Sequence, residues 1–273
     1  MSNILKQCKM TDAYLETTVL ADFLLKPKTP KQQKVKEALG RYQNTLLPVY
    51  SIKEWKAGLL NYFAYLHDKL VSTKSLANTF QALSVLPQGY RRSTSMEALA
   101  AAAQMVKDAR FNIVLGSTDE EQADSYRLAL YSLIMRSWAK RRKFATKVVD
   151  ELTCYTEAAP RVGKTGLFDF DPKQCEDDDE CCLATRFKAE PAILEALRNA
   201  IPEKSGRNEY EKRRQALKQL IKHPKERVNR ETCRHLGDAI FAFFCPENAV
   251  ILTTNLRDHE PLAKAVGKKA EKP

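Results

Sequence analysis

Hydrophobic and polar positions near the end of the chain predict a helix, a turn and a strand in quick succession. Residues 239–244 are apolar on almost every side, which is typical of a helix buried between two layers. Pro246-Glu247-Asn248 ends this helix, since proline cannot continue it and asparagine tolerates turn geometry. The apolar run Ala249–Leu252 follows, and it predicts a parallel strand that is covered on both faces.

Two further strands are predicted near the start of the chain. Residues 13–15 form a short apolar strand, which is followed by Glu16 and by a helix over residues 19–25. A second strand over residues 46–50 leads into a long helix from Ser51. Since the carboxyl ends of parallel strands meet at one edge of a sheet, the polar residues after these strands are expected to converge there.

The middle of the chain is predicted to be mostly helical. Its periodicity indicates helices over residues 75–86, 95–109, 117–157, 192–200 and 209–221. We therefore expect two α/β parts that are separated by a basic, mostly α-helical region. The predicted boundaries are 10–72 for the first α/β part, 73–228 for the helical region, 229–268 for the second α/β part and 269–273 for a tail.

Composition restricts the class of protein. Hydrophobic residues make up 44% of the sequence, an ordinary value for a folded soluble protein. No apolar run is long enough to span a membrane and no secretion signal is recognisable, so a cytoplasmic protein is expected. Seven irregularly spaced cysteines argue against a disulfide framework. Cys175, Cys181 and Cys182 could bind a soft metal, but zinc sites normally use paired short spacings, so reduced thiols are favoured.

The net charge of +11 suggests a polyanionic partner, because much of the positive charge is concentrated in helical segments. The candidate phosphate contacts lie in two of these segments: Arg136, Lys140, Arg141, Arg142, Lys143, Lys212, Arg213, Arg214 and Lys218. A solvated helix face is the alternative interpretation of each segment. The pattern favours a nucleic-acid surface.

Four acidic positions in this frame resemble those of the PIN-domain nucleases. Glu16-Thr17-Thr18-Val19 resembles the Asp-Thr-Asn-Val strand end of that family, with Glu in place of Asp. Asp12 is an alternative, but it precedes the strand. Glu54 matches an acid on the second helix, and Asp238 matches an acid that heads the penultimate helix. Thr254-Asn255 with Asp258 matches the end of the last strand. The resemblance covers about residues 10–70 and 230–268.

The resemblance implies a PIN-like fold with three α/β/α layers and a central parallel sheet. That family passes from the second acid to the third in far fewer residues than this chain, which implies that residues 73–228 contain an inserted, mostly α-helical subdomain. The resemblance also implies a metal-dependent endoribonuclease, of a class in which toxin-like or defence-associated roles are common. Oxygen ligands suit Mg²⁺ or Mn²⁺, and the expected ligands are Glu16, Glu54, Asp238 and Asp258. Thr17 and Asn255 are expected to hydrogen-bond a ligand carboxylate, the attacking water or the scissile phosphate. RNA is the expected substrate, and an inhibitory partner protein and a homodimer are further expectations.

Two other functions remain open at this stage. One is a nuclease of the same chemistry that acts on DNA. The other is a catalytically inactive nucleic-acid-binding or scaffold protein, because the longer side chain of Glu16 shifts any ligand by about one methylene. Individual acids also have structural alternatives. Ser51 and Glu54 fit a helix capping box, Asp238 could be an N-cap, and Asp258 could pair with Arg257.

The remaining polar features are weaker indications of chemistry. The four histidines fit no catalytic or metal-ligand pattern, so surface or structural roles are expected. Gly163-Lys164-Thr165 lacks the glycine and the preceding strand that a phosphate-binding loop needs. The acidic run 176–180 is expected to be a solvated loop or, alternatively, a nucleic-acid mimic that covers the basic surface.

Overall fold

The computed structural model describes residues 11–25, 29–87, 90–149, 159–169, 183–202, 208–223, 228 and 230–273. The strands are β1 Asp12–Leu15, β2 Thr45–Pro48, β3 Lys147–Val149, β4 Arg161–Val162, β5 Phe168–Asp169, β6 Ala249–Leu252 and β7 Lys269–Glu271. Five of them form a parallel sheet in the order β3-β2-β1-β6-β7, and β4 pairs with β5 in a separate antiparallel hairpin.

Helices make up most of the described chain. They are α1 Thr17–Leu25, α2 Pro30–Leu39, α3 Val49–Trp55, α4 Asn61–Thr73, α5 Leu76–Ser84, α6 Tyr90–Lys107, α7 Asp119–Lys140, α8 Leu183–Ala189, α9 Pro191–Ala200, α10 Asn208–Lys222, α11 Arg230–Phe244 and α12 Leu256–Ala265. A π-helical segment, Lys56–Leu60, joins α3 to α4. None of the described helices is long and apolar enough to cross a membrane.

The sheet separates two hydrophobic cores, because successive side chains of a strand point to opposite faces. Ala13 and Leu15 pack into one core, together with side chains of α1, α4, α6 and α7. Tyr14 lies in the other core, with side chains of α9, α10, α11 and α12. The predicted α/β class with a central parallel sheet is confirmed, and the helices on both faces are consistent with three layers.

The region predicted as an insertion is built into both cores. The helix predicted over 117–157 ends at Lys140, and β3 follows as an edge strand beside β2. The hydroxyl of Thr146 accepts a hydrogen bond of 3.1 Å from the backbone N–H of Thr45, which fixes the start of this pairing. Residues 73–228 therefore supply a sheet strand as well as helices of each layer.

The last residues also belong to the sheet. Residues 269–273, predicted as a tail, contain β7, which extends the sheet beyond β6 in parallel register. The backbone N–H of Thr253 donates to the carbonyl of Glu271 at 3.0 Å. The prediction of a tail was wrong because backbone pairing, rather than an apolar pattern, holds this short polar strand.

Two further features singled out in the sequence are the Gly163-Lys164-Thr165 run and the acidic run with its neighbouring cysteines. Gly163-Lys164-Thr165 lies in the turn of the β4–β5 hairpin, where Gly163 N–H donates to the carbonyl of Leu167 at 2.9 Å. This turn lacks the strand-to-helix setting of a phosphate-binding loop. The acidic run 176–180 and the cysteines at 175, 181 and 182 lie outside the described residues.

Candidate active site at the carboxyl edge of the sheet

The end of β1 and the end of β6 bring the first acid and the last polar motif together. Leu15 and Leu252 are register partners, so Glu16 and Thr253 leave the sheet side by side. The hydroxyl of Thr253 donates to Glu16 Oε2 at 3.0 Å. Thr18 donates to the same carboxylate through its hydroxyl and through its backbone N–H, the latter at 3.0 Å. Glu16 is buried, with 4% of its surface exposed.

Glu54 reaches this edge because α3 begins directly after β2. The helix starts at Val49, with Pro48 in the N-cap position, so Ser51 lies inside the helix and does not cap it. Ser51 instead donates its hydroxyl to the carbonyl of Leu15 at 2.6 Å. The capping box of Ser51 and Glu54, which was the structural alternative for Glu54, is therefore not formed, since the helix begins before Ser51. The hydroxyl of Thr17 donates to Glu54 Oε2 at 2.6 Å.

A break inside α11 places the third acid. Gly237 has φ 24° and ψ −103°, a conformation that interrupts the helix and that side chains rarely adopt. A Cβ atom at this position would lie 3.9 Å from Glu54 Oε1, so the glycine packs beside the second acid. Asp238 then starts the second half of α11. Its carboxylate lies 2.5 Å from Nη2 of Arg213 and 3.4 Å from Nε2 of His259.

Asp258 lies in the first turn of α12 and has different partners. The side-chain amide of Asn255 donates to Asp258 Oδ2 at 2.8 Å, and the hydroxyl of Tyr210 donates to Oδ1. Arg257 lies 3.4 Å away on the solvent side, as the structural alternative for Asp258 anticipated. Desolvation acts to raise the pKa of Asp258, but the Tyr210 and Asn255 hydrogen bonds outweigh it, and the pKa is lowered.

Electrostatics couple the other three carboxylates. Desolvation raises the pKa of Glu16 to about 8, against the hydrogen bond from Thr18, and the negative charges of Glu54 and Asp238 add to the rise. Desolvation likewise raises the pKa of Glu54 to about 7, and the charge of Asp238 contributes. The positive charges of Arg257 and Arg213 contribute instead to the lowered pKa of Asp258. The four predicted ligands thus form a coupled group of three, with Asp258 beside it.

Three residues at this edge were not predicted to be there. His259, for which a surface or structural role was expected, is 1% exposed and contacts Asp238. Desolvation lowers its pKa, so the neutral ring is favoured. Tyr210 contacts Asp258, and Arg213, predicted as a phosphate contact, pairs with Asp238 instead. Helical spacing could have indicated this position, because residues 210, 213, 217 and 220 share one face of α10, on which Leu217 and Leu220 are buried.

The basic residues at the end of α7 and directly after it lie at the opposite edge of the sheet. Lys140, Arg142 and Lys143 are exposed and come shortly before β3, so they lie beside the amino ends of the parallel strands. Arg136 is exposed over the ring of Phe111, and Arg141 stacks on Trp138. These five basic residues therefore do not belong to the group of carboxylates at the carboxyl edge.

Asp12, the alternative first acid, lies at the amino edge as well. Its carboxylate accepts a hydrogen bond of 2.8 Å from the side-chain amide of Asn44. This position separates it from Glu54 and Asp238, so the choice of Glu16 as the first acid of the group agrees with the geometry.

On α10, Lys212 and Lys218 are exposed, and Arg214 is partly exposed.

The side chains at the carboxyl edge suit a hard divalent cation by their chemistry. Carboxylate oxygens from Glu16, Glu54 and Asp238 are the donors that Mg²⁺ and Mn²⁺ prefer. Their mutual repulsion would be relieved by a cation, and Arg213 supplies a positive charge at this point. In the described part of the chain, no group of three or more acidic, histidine or cysteine side chains is arranged to hold a metal ion.

Comparisons with protein-family models, with curated proteins and with solved structures found no match to this chain.

Proposed function

We propose that this chain is a PIN-like, metal-dependent endonuclease that hydrolyses phosphodiester bonds in RNA. The observation that carries the proposal is the coupling of Glu16, Glu54 and Asp238, three carboxylates from distant parts of the sequence, at one edge of a parallel sheet. Such edges are where open α/β sheets bind their ligands. Grouping the buried Glu16 with two partly buried acids costs stability, which a structural role alone does not require.

The residues that would hold a Mg²⁺ or Mn²⁺ ion are these three carboxylates, with Asp258 beside them. A divalent ion bound here would lower the pKa of a water molecule and stabilise negative charge on a phosphate. The donor set fits the ion in chemistry, because all of its donor atoms are carboxylate oxygens.

Hydroxyl and amide groups of the chain orient the acids. Thr17 holds Glu54, Thr18 and Thr253 hold Glu16, and Asn255 holds Asp258. Thr17 and Asn255 thus donate to carboxylates, one of the roles expected for them. Preorganised carboxylates need little rearrangement when a ligand binds, which is the requirement of a catalytic site.

Positive charge supports a nucleic-acid substrate. Lys212 and Lys218 are exposed on α10, the helix that carries Arg213 into the site. Contacts of lysine and arginine with phosphates are independent of base sequence and weaken with salt. RNA is proposed over DNA on the family resemblance described above.

A catalytically inactive RNA-binding protein is the second candidate. The Arg213–Asp238 ion pair favours it, because the guanidinium satisfies a carboxylate that a metal ion would need. Glutamate at position 16, fully engaged by Thr18 and Thr253, is a second observation in its favour.

Cleavage of labelled single-stranded RNA and DNA with Mn²⁺, Mg²⁺ or EDTA separates these functions. The proposal predicts cutting of RNA that EDTA abolishes and that is lost in Asp238→Asn. Preferential cutting of DNA would support the DNA nuclease. Binding without cutting in any metal would support the inactive protein.

A further inference from the structure

Arg213 pairs with Asp238, at the edge of the sheet where the carboxylates are grouped. Its Nη2 is 2.5 Å from Asp238 Oδ2, and only 11% of the arginine side chain and 19% of the aspartate side chain are exposed. The same positive charge opposes the rise in the pKa of Glu54 that desolvation causes, and it contributes to the lowered pKa of Asp258. One guanidinium therefore acts on three of the four carboxylates at this edge.

The pairing leaves part of the guanidinium unused. Arginine presents its N–H donors in a planar fork that suits two-point binding of carboxylate or phosphate. The Nε of Arg213 is buried and has no hydrogen-bond partner in the described part of the chain, so the fork that includes Nε is not engaged by Asp238. An unsatisfied buried N–H is costly and calls for an explanation beyond the ion pair.

We propose that Arg213 is an internal counter-ion that competes with a divalent cation for Asp238 and thereby sets the metal affinity of the site. This inference rests on the proposed function, since it concerns the same carboxylates. Arginine keeps its charge at all relevant pH values, so the competition is electrostatic and persists across the neutral range. If Asp238 held a cation instead, the guanidinium of Arg213 would have its full fork available for a substrate phosphate.

The competing account is a structural ion pair. In that account Arg213 only neutralises a partly buried acid, and its loss lowers stability without changing how metal binds. The two accounts differ in metal affinity, which can be measured without any cleavage assay.

The test is calorimetric titration of the full chain with Mn²⁺ for wild type, Arg213→Gln and Asp238→Asn. Removal of a positive charge next to the metal position is expected to tighten Mn²⁺ binding by about tenfold or more. Lys212→Gln is the matched control, because it removes one charge from an exposed neighbouring position on α10, and its affinity should stay within about twofold of wild type. Asp238→Asn should weaken binding in parallel.

A second measurement uses the wild-type protein alone, in case Arg213→Gln does not fold. Addition of diamagnetic Mg²⁺ should shift the ¹⁵N signal of Arg213 Nε–H as the guanidinium leaves Asp238. Equal Mn²⁺ affinity in wild type and Arg213→Gln, with weaker binding in Asp238→Asn, would overturn this inference and leave the proposed function standing. Absence of Mn²⁺ binding and of cleavage in every variant would overturn both.

Discussion

Thr253 donates its hydroxyl to the carboxylate of Glu16 at 3.0 Å, although 237 positions separate the two residues in the sequence. The same hydroxyl accepts a hydrogen bond of 2.9 Å from the backbone N–H of Asn255. Thr253 is fully buried, so this single side chain connects the first acid of the site to the motif that follows β6. The carboxyl ends of β1 and β6 are thereby held as one unit.

Replacement of this threonine should destabilise the protein. Thr253→Ala leaves the buried carboxyl group of Glu16 and the backbone N–H of Asn255 each without one partner, and a cost of about 1–3 kcal/mol is expected. Urea unfolding measures the change. Thr254→Ala is the control, because Thr254 is exposed. Equal midpoints for the two variants would show that the Glu16–Thr253 hydrogen bond contributes little.

The raised carboxyl pKa values predict that stability falls with rising pH. Glu16 and Glu54 have pKa values of about 8 and about 7 in the folded protein, against an ordinary value of 4.5. The folded protein therefore holds protons that the unfolded chain has released. The stability that these groups contribute is complete below about pH 4.5 and is lost as pH rises through about 7 to 8, on the order of 1 kcal/mol or more.

Glu54→Gln tests this directly, since glutamine cannot ionise. Between about pH 4.5 and pH 7, the ordinary and the raised pKa of Glu54, the thermal midpoint of this variant should depend less on pH than that of wild type. Glu260→Gln, an exposed substitution on α12, should keep the wild-type pH dependence. Parallel pH curves for wild type and Glu54→Gln would contradict the raised pKa of Glu54.

The break at Gly237 predicts a conformational requirement for glycine. With φ at 24°, Gly237→Ala is strained whatever the space around it, and we expect a loss of about 1–3 kcal/mol together with displacement of Asp238. Gly58→Ala is the matched control, because nothing lies within 4 Å of the added Cβ and the residue is in a helical segment. That control should be neutral or stabilising, by up to about 1 kcal/mol. Unfolding midpoints compare the two, and equal values would argue against the strain.

The exposed basic residues that directly follow α7 should affect RNA binding more than chemistry. Arg142 and Lys143 lie at the amino edge of the sheet, away from the carboxylates. The double change to glutamine is therefore expected to make the slope of the logarithm of the RNA-binding constant against the logarithm of the salt concentration shallower by roughly 1–2. The single-turnover cleavage rate at saturating RNA should stay near wild type. A rate that falls as strongly as the affinity would place the catalytic edge elsewhere.

Much of the central sheet could be predicted because its strands are short, apolar and bounded by clear turns. β1, β2 and β6 fall within a few residues of their predicted positions. β7 could not be predicted, since Lys269, Ala270 and Glu271 have no apolar pattern and are held by backbone pairing with β6. β3 could not be predicted either, because helix-favouring residues precede it and tertiary contacts decide its pairing with β2.

The candidate site was predictable where a residue lies directly beside a strand end. Glu16 and Asp258 follow β1 and β6 closely, so sequence position alone indicates their edge. The partners of the acids were not predictable, because they depend on how whole helices pack. Arg213 has the same charge as its solvent-exposed neighbour Lys212, and only burial of one face of α10 distinguishes them.

The most direct test of the account compares the two edges of the sheet in one cleavage experiment. Single-turnover cutting of labelled RNA in Mn²⁺ is measured for wild type, Glu54→Gln, Asp238→Asn and Asp12→Asn, after each is shown to be folded. The account predicts losses of about a hundredfold or more for the two carboxyl-edge variants and a near wild-type rate for Asp12→Asn. Undiminished cutting by both carboxyl-edge variants would contradict it.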